Sequence, residues 1–238
     1  ARRMFERALE LDPGCADAYA RLAQVANVAG MYGWGGAEET SRRAMELAEK
    51  ALELDDTVPF AHGVLGNIHL WSHHDHERAL AEARRWIELD PNDADGVLNL
   101  AHELVWAGRS GEAMPLIEKS MHLNPHYSFI TLFNLGHAHW VLSDNEKALS
   151  AFGRDITRNP DFAPNHVFHA IVLAEMGRMD EARAAMDEGR RLGMDQAPTR
   201  LQALPYARDE DRERVRQALL KLAPTEAVGA DAGEAEHT

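Results

Sequence analysis

The feature that most constrains the fold is a short sequence that returns at nearly constant intervals. Five of the six copies close a predicted helix with Asp or Asn, four of them followed by proline, and the sixth, Leu192-Gly193-Met194, is degraded. The proline, or the residue in its place, lies at Pro13, Asp56, Pro91, Pro125, Pro160 and Met194. The intervals are therefore 43, 35, 34, 35 and 34 residues, so the first one contains an insertion. Such periodicity is typical of repeat proteins, in which stacked units bury one continuous core.

Each copy has the features of a helix end. Proline cannot continue a helix, and it biases the preceding residue away from helical angles. Twelve residues before every stop lies an alanine, whose small side chain allows two helices to approach closely. These alanines are Ala1, Ala44, Ala79, Ala113, Ala148 and Ala182. The repeat unit is therefore predicted to contain one tightly packed helix that stops near the proline.

A second helix is predicted upstream in each unit, where a leucine precedes a small residue, and Gly108 and Gly177 mark the turns between the paired helices. Such pairs are Leu65-Gly66, Leu100-Ala101 and Leu135-Gly136. The pattern of Leu-small pair, alanine and closing proline resembles the tetratricopeptide repeat over residues 1–195. The resemblance implies an all-α, right-handed superhelix, an α-solenoid of antiparallel helix pairs with about five repeats.

Both ends depart from this pattern. The chain opens at the alanine of a second helix, which predicts a half repeat at the start and a piece of a longer protein. Residues 196–223 are expected to form a capping segment with one amphipathic helix, and residues 224–238 a flexible acidic tail. The insertion, at about residues 30–41, either presents Tyr32 and Trp34 to a ligand or uses both rings to fill the gap between helix pairs.

A closer resemblance rests on the insertion, two turns and the segment before the last helix. The matching stretches are Met31-Tyr32-Gly33-Trp34, Gly108-Arg109, Asn124-Pro125-His126-Tyr127 and residues 204–209. They are similar to the tetratricopeptide regions at the carboxyl end of bacterial class III adenylate or guanylate cyclase proteins. In that family the repeats follow a catalytic domain, which implies a role in regulating it or in binding partners.

The charge composition limits the classes of partner that the chain can be expected to bind. The chain has 39 acidic and 25 basic residues, a formal net charge of −14, which repels nucleic acid and anionic membranes. A basic or amphipathic protein segment is the expected partner. Cys15 is the only cysteine, so an intrachain disulfide is excluded and a cytoplasmic setting is expected. No apolar run approaches the length of a membrane span.

Helical periodicity predicts which side chains face the concave groove of the solenoid. At 100° per residue, the positions around each Leu-small pair that point away from the packing side form one stripe. The predicted groove residues are Asn67, Trp71, Asn99, His102, Trp106, Asn134, His137 and Trp140. Asn99 and Asn134 resemble two rungs of the asparagine ladder of the O-linked N-acetylglucosamine transferase family. Chance or helix-to-helix hydrogen bonding explains the two asparagines about as well. An alternative interpretation of the tryptophans is that they wedge between neighbouring repeats.

No catalytic or cofactor motif is present. The sequence lacks a phosphate-binding loop, a nucleophile elbow and a zinc-protease motif, so we expect neither catalysis nor a cofactor. A turn with four histidines, His69, His73, His74 and His76, includes metal-ligand spacing. A solvated surface turn is the simpler interpretation, and we predict no metal site.

The sequence thus predicts a non-catalytic scaffold that binds a peptide or helix of a partner in its concave groove, within a larger bacterial regulatory protein. The main alternative is a regulatory or oligomerising arm of a nucleotide cyclase, acting on its own catalytic domain. Self-association into a homo-oligomer is a further candidate, because an uncapped solenoid end exposes an apolar stripe.

Overall fold

The computed structural model describes residues 2–31, 37–194 and 204–223, and all regular structure in these ranges is helical. The helices are α1 (Arg2–Leu11), α2 (Ala16–Met31), α3 (Ala37–Leu54), α4 (Pro59–His73), α5 (His76–Leu89), α6 (Ala94–Trp106), α7 (Ser110–Leu123), α8 (Phe129–Val141), α9 (Asn145–Arg158), α10 (Ala163–Glu175), α11 (Met179–Arg191) and α12 (Asp209–Leu222). The predicted all-α architecture is confirmed.

The helices form five stacked pairs. The most extensive contacts join α2 with α3, α4 with α5, α6 with α7, α8 with α9, and α10 with α11. The second helix of each pair then packs on the first helix of the next, and α1 packs on α2 as the predicted half repeat. Each pair therefore covers the apolar face of its neighbour, as a solenoid requires.

The repeat register is correct, because the predicted alanines lie where helices meet. Within the described ranges, Ala44, Ala79, Ala113, Ala148 and Ala182 are all completely buried. In the fourth pair, Phe152 follows the alanine and lies against Gly136, where an added Cβ would come within 2.7 Å of the ring. The small residue of the Leu-small pair thus makes room for the aromatic ring of the second helix.

The turns inside successive pairs share one backbone conformation. His74, Gly108, Ser143 and Gly177 have φ values of 53°, 73°, 61° and 77°. These left-handed residues end the first helix so that the second can reverse direction. Glycine adopts this conformation without strain, which confirms the two turns predicted at Gly108 and Gly177.

The carboxyl-terminal helix α12 packs against α10 and α11 at the end of the solenoid. Its predicted apolar stripe is confirmed, since Val215, Leu219 and Leu222 are all buried. Tyr32 and Trp34 of the insertion, and the tail from residue 224, lie outside the described residues. Within the described ranges, none of the helices combines the length and the hydropathy that a bilayer-crossing segment needs.

Candidate functional site: the concave groove

The first helices of the pairs, α2, α4, α6, α8 and α10, contact one another in succession and form the concave wall of the solenoid. We call the surface they share the groove. Its amino-terminal part, the open half, surrounds a cavity of about 450 Å³ between α2, α4, α6 and the start of α8. Its carboxyl-terminal part, the closed half, is filled by residues 204–208, which we call the strap.

The open half collects four of the predicted groove residues. Asn67, Asn99, His102 and Asn134 all line the cavity, together with apolar side chains of α2, α6 and α8. The stripe calculated from helical periodicity therefore faces the groove along three consecutive repeats. Amides on an apolar wall suit a peptide, whose main chain needs hydrogen bonds and whose side chains bury apolar area.

The asparagines of this wall differ in how their hydrogen-bonding groups are used. Asn134 is fully buried; its Nδ2 donates to the Ile130 carbonyl at 3.0 Å, and its Oδ1 accepts from His102 Nδ1 at 2.8 Å. Asn67 Nδ2 donates to the Gly63 carbonyl at 3.1 Å. Asn99 Oδ1 is buried and has no hydrogen-bond partner within residues 2–31, 37–194 and 204–223. Asn99 therefore has an acceptor that is not used within the described chain, whereas Asn134 takes part in the helix-to-helix bonding that the sequence left as an alternative.

An aromatic pair at the cavity was missed by the sequence analysis because one of its members lies on a second helix. Trp86 of α5 passes between α4 and α6, where a Cβ added at Gly63 would lie 2.0 Å from its ring. The Phe60 and Trp86 rings meet edge to face with centroids 5.6 Å apart, and the Arg21 guanidinium lies 3.9 Å above Phe60. The sequence feature that could have indicated this contact is Gly63, a small residue in α4 that leaves room for the Trp86 ring of α5.

Trp71 marks the boundary between the two halves. Its ring stacks on His102 with centroids 6.2 Å apart and meets Trp106 edge to face at 4.9 Å. Its indole Nε1 is buried without a hydrogen-bond partner. Trp71 therefore packs between repeats and also retains an unused donor beside the groove.

The closed half buries the remaining predicted residues beneath the strap. Trp106, His137 and Trp140 are at most 1% exposed. Tyr206 of the strap inserts among them, with its ring centroid 4.6 Å from Trp106, 5.4 Å from His137 and 5.6 Å from Trp140. The Tyr206 hydroxyl lies 2.7 Å from His137 Nε2. The predicted groove surface is thus present here, but the chain itself occupies it.

Main-chain and guanidinium groups fasten the strap to the ends of the first helices. The Ala207 N–H donates to the Trp106 carbonyl at 3.0 Å, and Arg208 Nη2 donates to the Val141 carbonyl at 3.4 Å. These carbonyls lie in the last turns of α6 and α8, where intrahelical donors are missing. The strap therefore satisfies backbone acceptors of two successive repeats.

Arg214 of α12 forms the strongest anchor. It donates to both carboxylate oxygens of Glu175, at 3.0 and 2.8 Å, and to the Trp140 carbonyl at 2.9 Å. Its guanidinium also lies 4.2 Å above the Trp140 ring. Bidentate pairing and stacking on one arginine hold α12 against the end of the groove.

Burial keeps two titratable groups of the closed half, His137 and the Tyr206 hydroxyl, in their neutral forms. Burial lowers the pKa of His137 well below its usual value and raises the pKa of the Tyr206 hydroxyl well above its usual value. Both groups are therefore uncharged at neutral pH. Trp106 Nε1 and His137 Nδ1 remain buried without partners, and each costs about 1–3 kcal/mol relative to a satisfied group. The strap fills this space without satisfying every polar atom in it.

Glu103, on the first helix of the third pair, is a buried acid. Its side chain is 1% exposed, and in the part of the chain that the structure describes neither carboxyl oxygen has a hydrogen-bond partner. Burial raises the pKa of Glu103 to about 8. The carboxyl group is therefore mostly protonated at neutral pH.

The histidine-rich turn shows only a pairwise contact. His69 Nδ1 and His73 Nδ1 lie 3.3 Å apart, and burial together with His73 lowers the pKa of His69. Within the described ranges, no three His, Cys, Asp or Glu side chains are placed to hold a metal ion.

A larger cavity, of about 640 Å³, lies between α1, α2 and α3. It is lined by α1 residues such as Arg2 and Leu9 and by Arg43 and Leu47 of α3. None of the predicted groove residues borders it. Charged side chains, among them Glu6, Glu10 and Glu39, also line this cavity, so it is a second concave surface, separate from the predicted groove.

The sequence analysis predicted the capping helix but not the insertion of Tyr206 into the groove. Residues 196–223 were predicted to cap the last repeat, and α12 does so. The insertion of Tyr206 into the groove depends on contacts across 69 residues, from His137 to Tyr206, which no local pattern encodes. A Leu-Pro-Tyr segment just before an amphipathic helix was the only signal.

Comparison with known proteins gives weak sequence matches and strong structural ones. No protein-family model matches the chain. The Putative adenylate cyclase 3 of Rhizobium meliloti (strain 1021) is 38% identical over 72 residues, which are 30% of this chain and 12% of that protein. The match agrees with the resemblance to cyclase-associated repeats and spans a small part of the relative.

Solved structures resemble the fold over most of the chain. A chain of the APC/C hetero-tetramer Cut9-Hcn1 has a TM-score of 0.68 and 16% identity over 92% of this chain and 39% of its own. A thermophilic TPR protein of Thermus thermophilus has a TM-score of 0.61 and 20% identity, covering 83% and 99%. PilW, a type IV pilus biogenesis factor, has a TM-score of 0.61 and 17% identity, covering 84% and 89%. With the paired helices and the buried alanine register, these matches show that the chain has the tetratricopeptide-repeat fold.

Proposed function

We propose that this chain is a non-catalytic protein-interaction scaffold that binds a peptide or helix of a partner protein in the open half of the groove. The observation that carries the proposal is the cavity of about 450 Å³ lined by Asn99, whose buried Oδ1 has no hydrogen-bond partner among the described residues. After rotation of the Asn99 side chain toward the cavity, a peptide N–H would satisfy that atom. Cut9 and Hcn1 share one hetero-tetramer, which supports partner binding by this fold.

The cavity wall also favours a partner with apolar side chains. Phe60, Trp86 and Leu98 offer aromatic and aliphatic surface beside the amide wall. Burial of a side chain against such residues supplies most of the affinity of a typical peptide site, while polar groups set its register. The net charge of −14 adds a preference for a basic segment.

The test compares two asparagines that differ in exposure to the cavity. Partners captured by the wild-type chain are identified, and their binding segments are synthesised and titrated. Asn99→Ala should weaken binding about 5- to 10-fold, as expected for one lost hydrogen bond. Asn92→Ala, in the exposed turn before α6, is the matched control and should leave affinity unchanged. Equal affinities for all three chains would remove the proposal.

A regulatory arm of a nucleotide cyclase is the second candidate, favoured by the 72-residue match to the putative cyclase. In this case the groove would contact the chain's own catalytic domain within a larger bacterial regulatory protein. The test is the cyclase activity of the complete gene product with Asn99→Ala. A change in basal activity without an added partner supports this candidate, whereas unchanged activity favours a separate partner.

Self-association is a proposal of its own. The α1 surface exposes Met4 and Leu11, which are 74% and 73% accessible. Light scattering of the chain, compared with a Met4→Glu and Leu11→Glu variant, tests it. A dimer that the double variant abolishes supports a homo-oligomer, and a monomer at all concentrations excludes one.

A further inference from the structure

The strap occupies the closed half in the way that a peptide ligand occupies a groove. One aromatic side chain, Tyr206, is inserted into a pocket of ring systems. One main-chain N–H, that of Ala207, bonds the groove wall. One guanidinium, that of Arg214 in the adjoining helix α12, contacts the carboxylate of Glu175 and the Trp140 ring. These are the three contact types that define peptide recognition.

From these contacts we infer that the closed half is a second peptide site, which accepts from a partner protein a segment presenting an aromatic hydroxyl and a guanidinium, and that the strap is its built-in competitor. The inference rests on the proposed function, since it extends groove binding to the half that the chain now covers. It also gives the partner a specific chemistry.

The groups that the groove contributes to this site are almost all acceptors. They are the carbonyls of Trp106, Trp140 and Val141 and the carboxylate of Glu175. A ligand therefore needs donors, and arginine supplies several in a fixed fork that stacks on an indole. The net charge of −14 favours the same cationic ligand.

The strap is an incomplete ligand. Trp106 and His137 are buried against Tyr206, yet none of the described residues hydrogen-bonds Trp106 Nε1 or His137 Nδ1. A segment from another protein that supplies an acceptor to the indole would bind with more hydrogen bonds than the strap makes. Such a segment can compete even though the strap has the advantage of being tethered.

The test uses a fluorescent peptide of residues 204–216, which contains Tyr206 and Arg214, and measures its anisotropy with the full chain. Tyr206→Ala with Arg214→Ala weakens the tethered competitor and should increase peptide affinity at least 10-fold over the wild type. The matched control is Tyr127→Ala with Arg158→Ala, which removes a tyrosine–arginine contact from the outer surface. The control should bind the peptide as weakly as the wild type.

Peptide variants test the chemistry of the site. A peptide with its tyrosine replaced by alanine should not bind the released chain, and one with Arg214 replaced by lysine should bind at least 3-fold more weakly. Failure of the released chain to bind, with its melting transition intact, would overturn the inference. Exchange of straps between two copies, seen as a dimer that the peptide does not dissociate, would also overturn it, because the occupant would then be a second copy.

Folding and the proposed function are kept separate in this test. If the double variant does not melt cooperatively, the single variant Arg214→Ala, which retains the Tyr206 ring, is used instead. Its affinity for the peptide should be at least 3-fold higher than that of the wild type. An unchanged affinity overturns the inference. Asn99→Ala in the released chain should leave peptide affinity unchanged, since Asn99 lies in the open half. If the released chain does not bind the 204–216 peptide but still binds a partner in the open half, this inference fails and the proposed function stands.

Discussion

The two halves of the groove place equivalent residues in different environments. Trp71 and Trp106 lie at the same position of consecutive repeats, 35 residues apart. Trp71 is half-buried at the edge of the open half, whereas Trp106 is 1% exposed beneath Tyr206. The repeat sets where each side chain points, and a segment 100 residues further along the chain decides which one is covered. Equivalent repeat positions therefore do not have equivalent roles.

The hydrophobic core differs between the halves as well. One continuous cluster runs from Leu70 to Leu222 and includes Trp106, Trp140 and Tyr206 of the closed half. The amino-terminal pairs rest on two smaller clusters, one around Leu47 and Val64 and one around Ala51. Local opening is easier where fewer apolar contacts must break, so the open half is expected to be the more adaptable part of the groove.

The largest expected effect tests the difference between the two tryptophans. Trp106→Ala should reduce the free energy of unfolding by about 3–5 kcal/mol, because it leaves a cavity under Tyr206. Trp71→Ala, at the equivalent position, should cost about 1–2 kcal/mol, since part of that ring already contacts solvent. Denaturant unfolding of both variants measures the two values. Equal losses would mean that the strap does not cover Trp106 in solution.

A buried acid at the border of the halves makes stability depend on pH. The pKa of Glu103 is raised from 4.5 to about 8, so the folded state holds a proton that the unfolded state has lost. This stabilisation is complete below pH 4.5 and is lost as the pH rises through about 8. Between pH 5 and pH 8 the wild type should therefore lose roughly 3 kcal/mol of unfolding free energy relative to Glu103→Gln, which has no carboxyl group to ionise.

Thermal melts of wild type and Glu103→Gln at both pH values measure this difference. Glu118→Gln, an exposed residue of α7, is the control and should follow the wild-type curve. Parallel curves for Glu103→Gln and wild type would show that Glu103 is hydrated. Burial of His102 and His137 lowers their pKa values, so it destabilises the fold as the pH falls below 6.5, and both variants share that loss.

Both halves should lose similar stability when a buried alanine of a second helix is enlarged, because this change affects helix packing and not the groove. Ala79 and Ala148 occupy the same position in the second helices α5 and α9, and both are fully buried. Replacing either by leucine should cost about 1–3 kcal/mol through overpacking. Urea titrations of the two variants give the values. A near-zero cost at one site would show that the pairs are packed differently, and the difference between the halves would then begin in the frame.

Sequence periodicity predicted the stacked helix pairs because the same packing contacts recur in each repeat. Ala113 and Gly108 are required by contacts within one helix pair and its neighbour, so their spacing carries the information. The same periodicity predicted that Asn99 faces the groove, since a helix has one angle per residue. It could not predict that Tyr206 covers Trp106, because that contact joins a single non-repeated segment to the repeats. Nor could it predict that Trp86 reaches the cavity from a second helix.

The smallest expected effect isolates one hydrogen bond of the closed half. Tyr206→Phe keeps the ring against Trp106 and Trp140 and removes the hydroxyl that bonds His137 Nε2 at 2.7 Å. The variant leaves a second buried nitrogen of His137 unpartnered, so it should lose about 1 kcal/mol of unfolding free energy. Tyr127→Phe removes a hydroxyl that bonds Arg154 on the surface and should lose less than about 0.5 kcal/mol. If the two variants lose the same amount, the hydroxyl of Tyr206 reaches water in solution, and the closed half is no more closed than the open one.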